Sequence, residues 1–152
     1  MRVTLIGICV GVVGMIVLGF LGSSTAAPPH GSSADTRQRL VFAPTQRDHI
    51  LAEMRIMLES VSGIIQGLAS DDLPAAEKAA RASGMMEAAD VDPQIRKLLP
   101  QQFLELGMQT HRGFDTLADQ IKAGGSRDDT LRGLAKLTGN CLAWHATYRL
   151  DE

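Results

Sequence analysis

One short segment near the C-terminus combines a thiol, an indole and an imidazole within five residues. It reads Cys141-Leu142-Ala143-Trp144-His145. In c-type haem attachment, the pattern Cys-x-x-Cys-His supplies two thiols that bond to the haem vinyl groups and an imidazole that ligates the iron. Here the first thiol and the imidazole are present, four residues apart and therefore on one face of a helix. Trp144 stands where the second thiol would be, and an indole cannot form a thioether.

The N-terminus predicts export. An uninterrupted apolar run follows Arg2 and ends near Gly22, and small residues follow at Ser24-Thr25-Ala26. These are the parts of a secretory signal, and we expect cleavage after Ala26. The alternative is an uncleaved membrane anchor, because a spanning helix needs roughly 20 apolar residues. In either case the functional domain faces the far side of a membrane, which in a bacterium is the periplasm.

Export leaves one cysteine in the mature chain. Cys9 lies inside the signal, so Cys141 has no intrachain disulfide partner. The interpretations open to it are a small buried side chain, an intermolecular bridge or a covalent bond to a cofactor.

The composition favours helices and excludes two broad functions. Aromatic residues make up 4% of the chain and the formal net charge is -2, whereas a β-sandwich would need more aromatic and β-branched residues. Lysine and arginine form no basic stripe, so we expect no nucleic-acid partner. No nucleophile–base arrangement, paired carboxylate site or phosphate loop is evident, and we do not expect an enzyme.

Apolar residues at spacings of three and four predict four amphipathic helices. Their expected ranges are 46–69, 74–88, 101–123 and from 126 to the end, with Thr45 and Ser126 as N-terminal caps. For residues 90–100 we expect an irregular connection that holds one short helical turn. The predicted fold is all-α, an antiparallel four-helix bundle over 45–152, preceded by the signal 1–26 and a flexible leader over 27–44.

The C-terminal segment continues as Tyr148-Arg149, and the first helix carries Met54 followed by Gly67-Leu68-Ala69-Ser70-Asp71. With these features, residues 46–150 resemble the cytochrome c-prime family, and in particular its low-spin members. The resemblance implies a periplasmic electron-transfer protein in which His145 and Met54 ligate haem iron, with Met57 as the next candidate. It also implies pairing into homodimers, but it does not identify the redox partner.

The tryptophan leaves three states of the site open. Haem is held by one thioether through Cys141 and by the axial pair, or it is bound by the axial pair without a covalent bond, or Trp144 fills the pocket and no haem enters. The last state corresponds to a different function, a haem-free bundle that serves as an interaction or assembly module. A copper site of soft thioethers and imidazoles is a further alternative, drawn from residues whose spacing is not diagnostic: His49, Met85, Met86, Met108 and His111.

Overall fold

The structure, a computed structural model, describes residues 35–88 and 93–151. The predicted signal 1–26, its cleavage site and the leader residues 27–34 lie outside the described residues. From Thr36 onward the chain forms one compact unit. Its described part is mostly helical, which confirms the predicted all-α class. None of the described helices combines the length and the apolar character that a membrane span requires.

The described residues form the following elements in chain order: β1 (Gln38–Val41), α1 (Pro44–Ala69), α2 (Leu73–Arg81), α3 (Met85–Ala88), α4 (Pro93–Leu98), α5 (Gln101–Lys122), α6 (Arg127–Thr147) and β2 (Tyr148–Asp151). The first, third and fourth predicted helices are therefore present, and the predicted second helix is divided into α2 and α3. Helix α4 is the short turn expected between 90 and 100, and the two strands were not predicted.

The two predicted caps have different outcomes. Ser126 caps α6 as expected, because its hydroxyl accepts a hydrogen bond from the Asp129 N–H at 3.1 Å. At α1 the predicted start is wrong by two residues. The helix begins at Pro44, a residue suited to a first turn, and the Gln46 side chain accepts the Ala43 N–H at 3.1 Å.

The predicted second helix is interrupted after Arg81, and the cause lies in α5. At the interruption the Met85 N–H donates to the Asp115 carboxylate at 2.8 Å. The Ser83 carbonyl accepts a hydrogen bond from the His111 ring at 2.9 Å. Backbone groups that would continue the helix are thus bonded to side chains of α5. Arg81 reinforces this junction, since it contacts Asp115 at 3.1 Å.

The long helices pack in the order α1 on α2, α2 on α5 and α5 on α6. Small residues permit the first contact: a Cβ on Gly67 would lie 2.6 Å from the Ala76 backbone nitrogen, closer than atoms can pack. By contrast, the backbones of α1 and α6 come within packing distance hardly anywhere. The helices are therefore closely packed on three sides and separated between α1 and α6.

Two apolar clusters of buried residues stabilise the fold. The first joins α1, α2, α5 and α6 through Ile64, Leu68, Ala76, Ala80, Phe114, Leu117, Ala118, Ile121, Leu134 and Leu137. The second joins the strands to α1, α4 and α5 through Leu40, Phe42, Ile50, Ile95, Phe103 and Tyr148. Met57 and Val61 pack against the first cluster, whereas Met54 and Trp144 pack against the second.

The two strands join the ends of the described domain. β1 and β2 are parallel, with Gln38 opposite Tyr148 and Leu40 opposite Leu150. The sequence predicted a flexible leader over 27–44, and the strand corrects this prediction for Gln38–Val41. The predicted last helix likewise ends at Thr147, and Tyr148 begins the strand.

Candidate functional site

A cavity of about 590 Å³ lies where α1 and α6 are separated, within the size range of roughly 300–1,000 Å³ that is usual for ligand sites. All four residues predicted to hold a cofactor line it, namely Met54, Cys141, Trp144 and His145, and so does Met57. Helix α5 and the α4 region complete the wall, chiefly with apolar side chains such as Ile95, Leu99, Phe103 and Leu104. The structure therefore places residues about 90 positions apart in the chain around one apolar space.

Helix α6 supplies the thiol and one imidazole. Cys141 and His145 are separated by one helical turn, so both reach the cavity from the same face of α6. The Cys141 side chain is partly buried, whereas His145 is exposed to solvent at the cavity wall.

Trp144 belongs to an aromatic group at the end of α6. Its ring lies 4.6 Å from the Phe103 ring in an edge-to-face arrangement, 5.8 Å from Tyr148 and 5.3 Å from the His145 imidazole. Edge-to-face pairs of this kind contribute about 0.5–1.5 kcal/mol beyond burial. The indole therefore has a packing role at the position where a haem-attachment segment has its second thiol.

Helix α1 supplies the thioethers on the facing wall. Met54 and Met57 are three residues apart and line the cavity together. The α1 wall also has a polar part, formed by His49 and Glu53. There His49 Nε2 lies 3.8 Å from a Glu53 carboxylate oxygen. Both methionines thus line the cavity on the wall opposite α6.

His111 on α5 is a cavity residue that the sequence offered only as part of the copper alternative or as a packing residue. Its side chain is 6% exposed and lines the same space. The Ser83 carbonyl can only accept, so Nδ1 of His111 is the donor of the 2.9 Å hydrogen bond between them. The spacing from Met108, three residues earlier, is the only sequence signal that points to this face of α5, and it is also compatible with simple packing.

The structure places only some of the residues of the copper alternative at the cavity. His49, Met108 and His111 line the cavity, but Met86 is 84% exposed and lies outside its wall. Among the described residues, no three histidine, cysteine or acidic side chains come together closely enough to hold a metal ion.

Burial raises the pKa of the Cys141 thiol above its ordinary value, because the apolar surroundings disfavour the thiolate. In the folded protein produced without haem, where Cys141 keeps its free thiol, we therefore expect alkylation by iodoacetamide to require a higher pH than in the urea-unfolded chain. The folded form favours the protonated thiol. Its contribution to stability is thus complete below the unfolded pKa and is lost as the pH rises through the folded one. Alkylation rates measured from pH 7 to 10 in both states check this, and coincident profiles would contradict it.

Comparison with known proteins finds no match among protein-family models, curated proteins or solved structures.

Proposed function

We propose that this protein is an exported, haem-binding electron-transfer protein of the cytochrome c-prime type. In this proposal α1, α2, α5 and α6 form an antiparallel four-helix bundle, and the haem occupies the cavity between α1 and α6. The observation that carries the proposal is the joint presence of Met54, Cys141 and His145 on the wall of that one cavity.

The donor set fits haem by its chemistry. An imidazole and a thioether are the axial ligands of low-spin c-type cytochromes, and a thiol is the group that forms the covalent bond. His145 on α6 and Met54 on α1 would hold the iron from the two walls, and Cys141 would provide the single thioether. Haem, when bound, supplies a one-electron iron couple. The apolar wall excludes water, which together with ligand identity sets the potential.

The separation of α1 from α6 supports the same proposal. At its contact with α2, by contrast, α1 packs so closely that a single added methyl group would clash, as at Gly67 and at Gly63, where an added Cβ would lie 2.8 Å from Ala79. A flat apolar cofactor between α1 and α6 would bury the side chains that face the gap. The periplasm is the proposed location because the haem-attachment pattern agrees with the export signal predicted at the N-terminus.

The competing function is a haem-free helical bundle that serves as an interaction or assembly module. The packing of Trp144 against Phe103 favours it, because the indole has its own partners without a cofactor.

The function of a gas-binding protein follows instead if haem binds but Met54 does not ligate, since an open iron position accepts small gases.

The full-length chain, produced in a bacterium that matures c-type cytochromes, tests the proposal. We expect a red periplasmic protein with a Soret band and a haem stain that survives denaturing electrophoresis. Cys141→Ser should remove the stain while His145 still holds the haem, and Met54→Leu should replace the low-spin spectrum by a high-spin one. Leu142→Ser on the exposed face of α6 is the control. A colourless, stably helical protein would show that the haem proposal is wrong. It would favour the competing function, a haem-free interaction or assembly module.

A further inference from the structure

We propose that strand β1 is a positioning element for the candidate site, and that it holds the end of α6 that carries Trp144 and His145. The part of this inference that concerns haem rests on the proposed function. The part that concerns the position of α6 stands on the contacts of the strand alone.

The strand is joined directly to the segment that follows the site residues. β1 pairs in parallel with β2, which begins at Tyr148, three residues after His145. An ion pair between Arg39 and Asp151 connects the two strands at their side chains. The last described residues after α6 are therefore hydrogen-bonded to the start of the described domain.

A second contact reaches the site residue itself. The Arg37 guanidinium donates to the His145 carbonyl oxygen at 3.3 Å. Carbonyl groups in the last turn of a helix have no partner within the helix, and a cation there is favourable to the helix dipole. Arg37 thus stabilises the last turn of α6 at the position of the proposed iron ligand.

The strand also shares its apolar core with the site. Leu40 and Phe42 are each 5% exposed and belong to the cluster that contains Tyr148 and Phe103. Met54 and Trp144 pack against that same cluster from the cavity side. Displacement of Leu40 would therefore open the surface on which both walls of the cavity rest.

The pairing of β1 with β2 depends on the folded helical domain between them. Two strands of four residues are not stable in isolation, and parallel strands need a long connection between them. Here the connection is the entire helical domain from α1 to α6. The strand pair can only form once the helices are in place, so it acts on the position of α6 and does not initiate the fold.

Leu40→Asn tests the inference, with Val41→Asn as its matched control. Val41 is the next residue of the same strand but is 63% exposed, so both variants change the strand composition equally and only one disturbs the cluster. Trp144 is the single tryptophan of the chain and reports directly on the end of α6. In the full-length protein without added haem, acrylamide quenching of Trp144 and hydrogen exchange of residues 141–147 are measured for both variants. The haem spectrum and the rate of haem loss are then measured after haem loading in the Cys141→Ser background, in which no thioether retains the haem.

With Leu40→Asn we expect quenching and exchange at 141–147 to rise about threefold or more, while exchange in α2 and in the centre of α5 stays unchanged, since the opening is local. Haem loss should be about tenfold faster, as a buried polar group without a partner predicts. Val41→Asn should match the wild type. Equal behaviour of the two variants, or an increase spread evenly over all helices, would overturn the inference.

Arg37→Gln is the second variant, and it decides whether β1 positions the end of α6 if Leu40→Asn fails to fold. It should raise exchange at 141–147 by about two- to fivefold, the effect of one cation at a helix end, and Arg37→Lys should restore most of the protection. No difference between Gln and Lys at this position would also overturn the inference. If the wild-type protein binds no haem, the proposed function fails, but exchange and quenching still decide whether β1 positions α6.

Discussion

Replacing Trp144 by cysteine is expected to produce a haem attached through two thioethers. Cys141 and Trp144 are three residues apart on α6 and line the same cavity, which is the relation of the two thiols in a Cys-x-x-Cys-His segment. His145 already follows in the place of the axial imidazole. The variant thus completes the attachment pattern without moving any other element of the site.

The chemistry gives this variant a distinct signature. Each thioether consumes one vinyl group of the haem, so the pyridine haemochrome band shifts stepwise with the number of bonds. We expect the wild type to show the band of one thioether and Trp144→Cys that of two. The haem of the variant should remain on the protein after denaturation, as shown by haem stain and intact mass.

Loss of the indole has its own effect, which needs a separate control. Trp144 packs edge-to-face on Phe103 at 4.6 Å, and truncation of a buried aromatic side chain lowers stability by about 3–5 kcal/mol when burial is complete. Trp144 is only partly buried, so the loss is smaller. Trp144→Ser opens the same space without a thiol. If Trp144→Cys showed the same haemochrome band as Trp144→Ser, the rest of the attachment site would not be intact.

Truncation of Phe114 to alanine is expected to have the largest effect on stability. Phe114 has no exposed surface and lies in the cluster that joins α1, α2, α5 and α6. Complete removal of such a ring lowers the free energy of unfolding by about 3–5 kcal/mol, because burial is lost and a cavity remains. A domain of this size has a total stability of about 5–15 kcal/mol, so the variant should unfold at a much lower urea concentration.

Phe114 does not line the candidate cavity. Its truncation should therefore lower the free energy of unfolding without changing the ligation of haem. At low urea the haem spectrum of Phe114→Ala should match that of the wild type. Leu142→Ala is the control, since this side chain is 72% exposed and surface substitutions change stability by about 0.5 kcal/mol or less. Equal urea midpoints for the two variants would contradict the assignment of Phe114 to the core.

Local features of the fold were predictable from the sequence because local interactions produce them. The apolar periodicity of α1 and α5 and the Ser126 cap of α6 involve residues within one or two turns of each other. The end of α1 at Ala69 and the start of α5 at Gln101 were also predicted correctly. The start of α1 was missed because a proline in the first turn and the Gln46 side chain competed with the predicted Thr45 cap.

The interruption after α2 was not predictable from local interactions. Residues 74–88 have the composition of one helix, but Asp115 and His111 of α5 bond to backbone groups near Ser83. These partners lie about 30 residues away in sequence, and no helical period encodes them. The same applies to β1, whose partner strand lies beyond all the helices that the structure describes.

For the candidate site, the sequence by itself determined the face of α6 that carries Cys141, Trp144 and His145, because residues three and four apart coincide on any helix. It also identified Met54 and Met57 as one face of α1. Only the tertiary structure decided that these two faces line one cavity, that His111 joins them, and that a strand outside the predicted domain pairs with the segment that follows α6. The physical reason is that helical periodicity follows from neighbouring residues, whereas a cavity exists only where distant helices are packed on three sides and kept apart on the fourth.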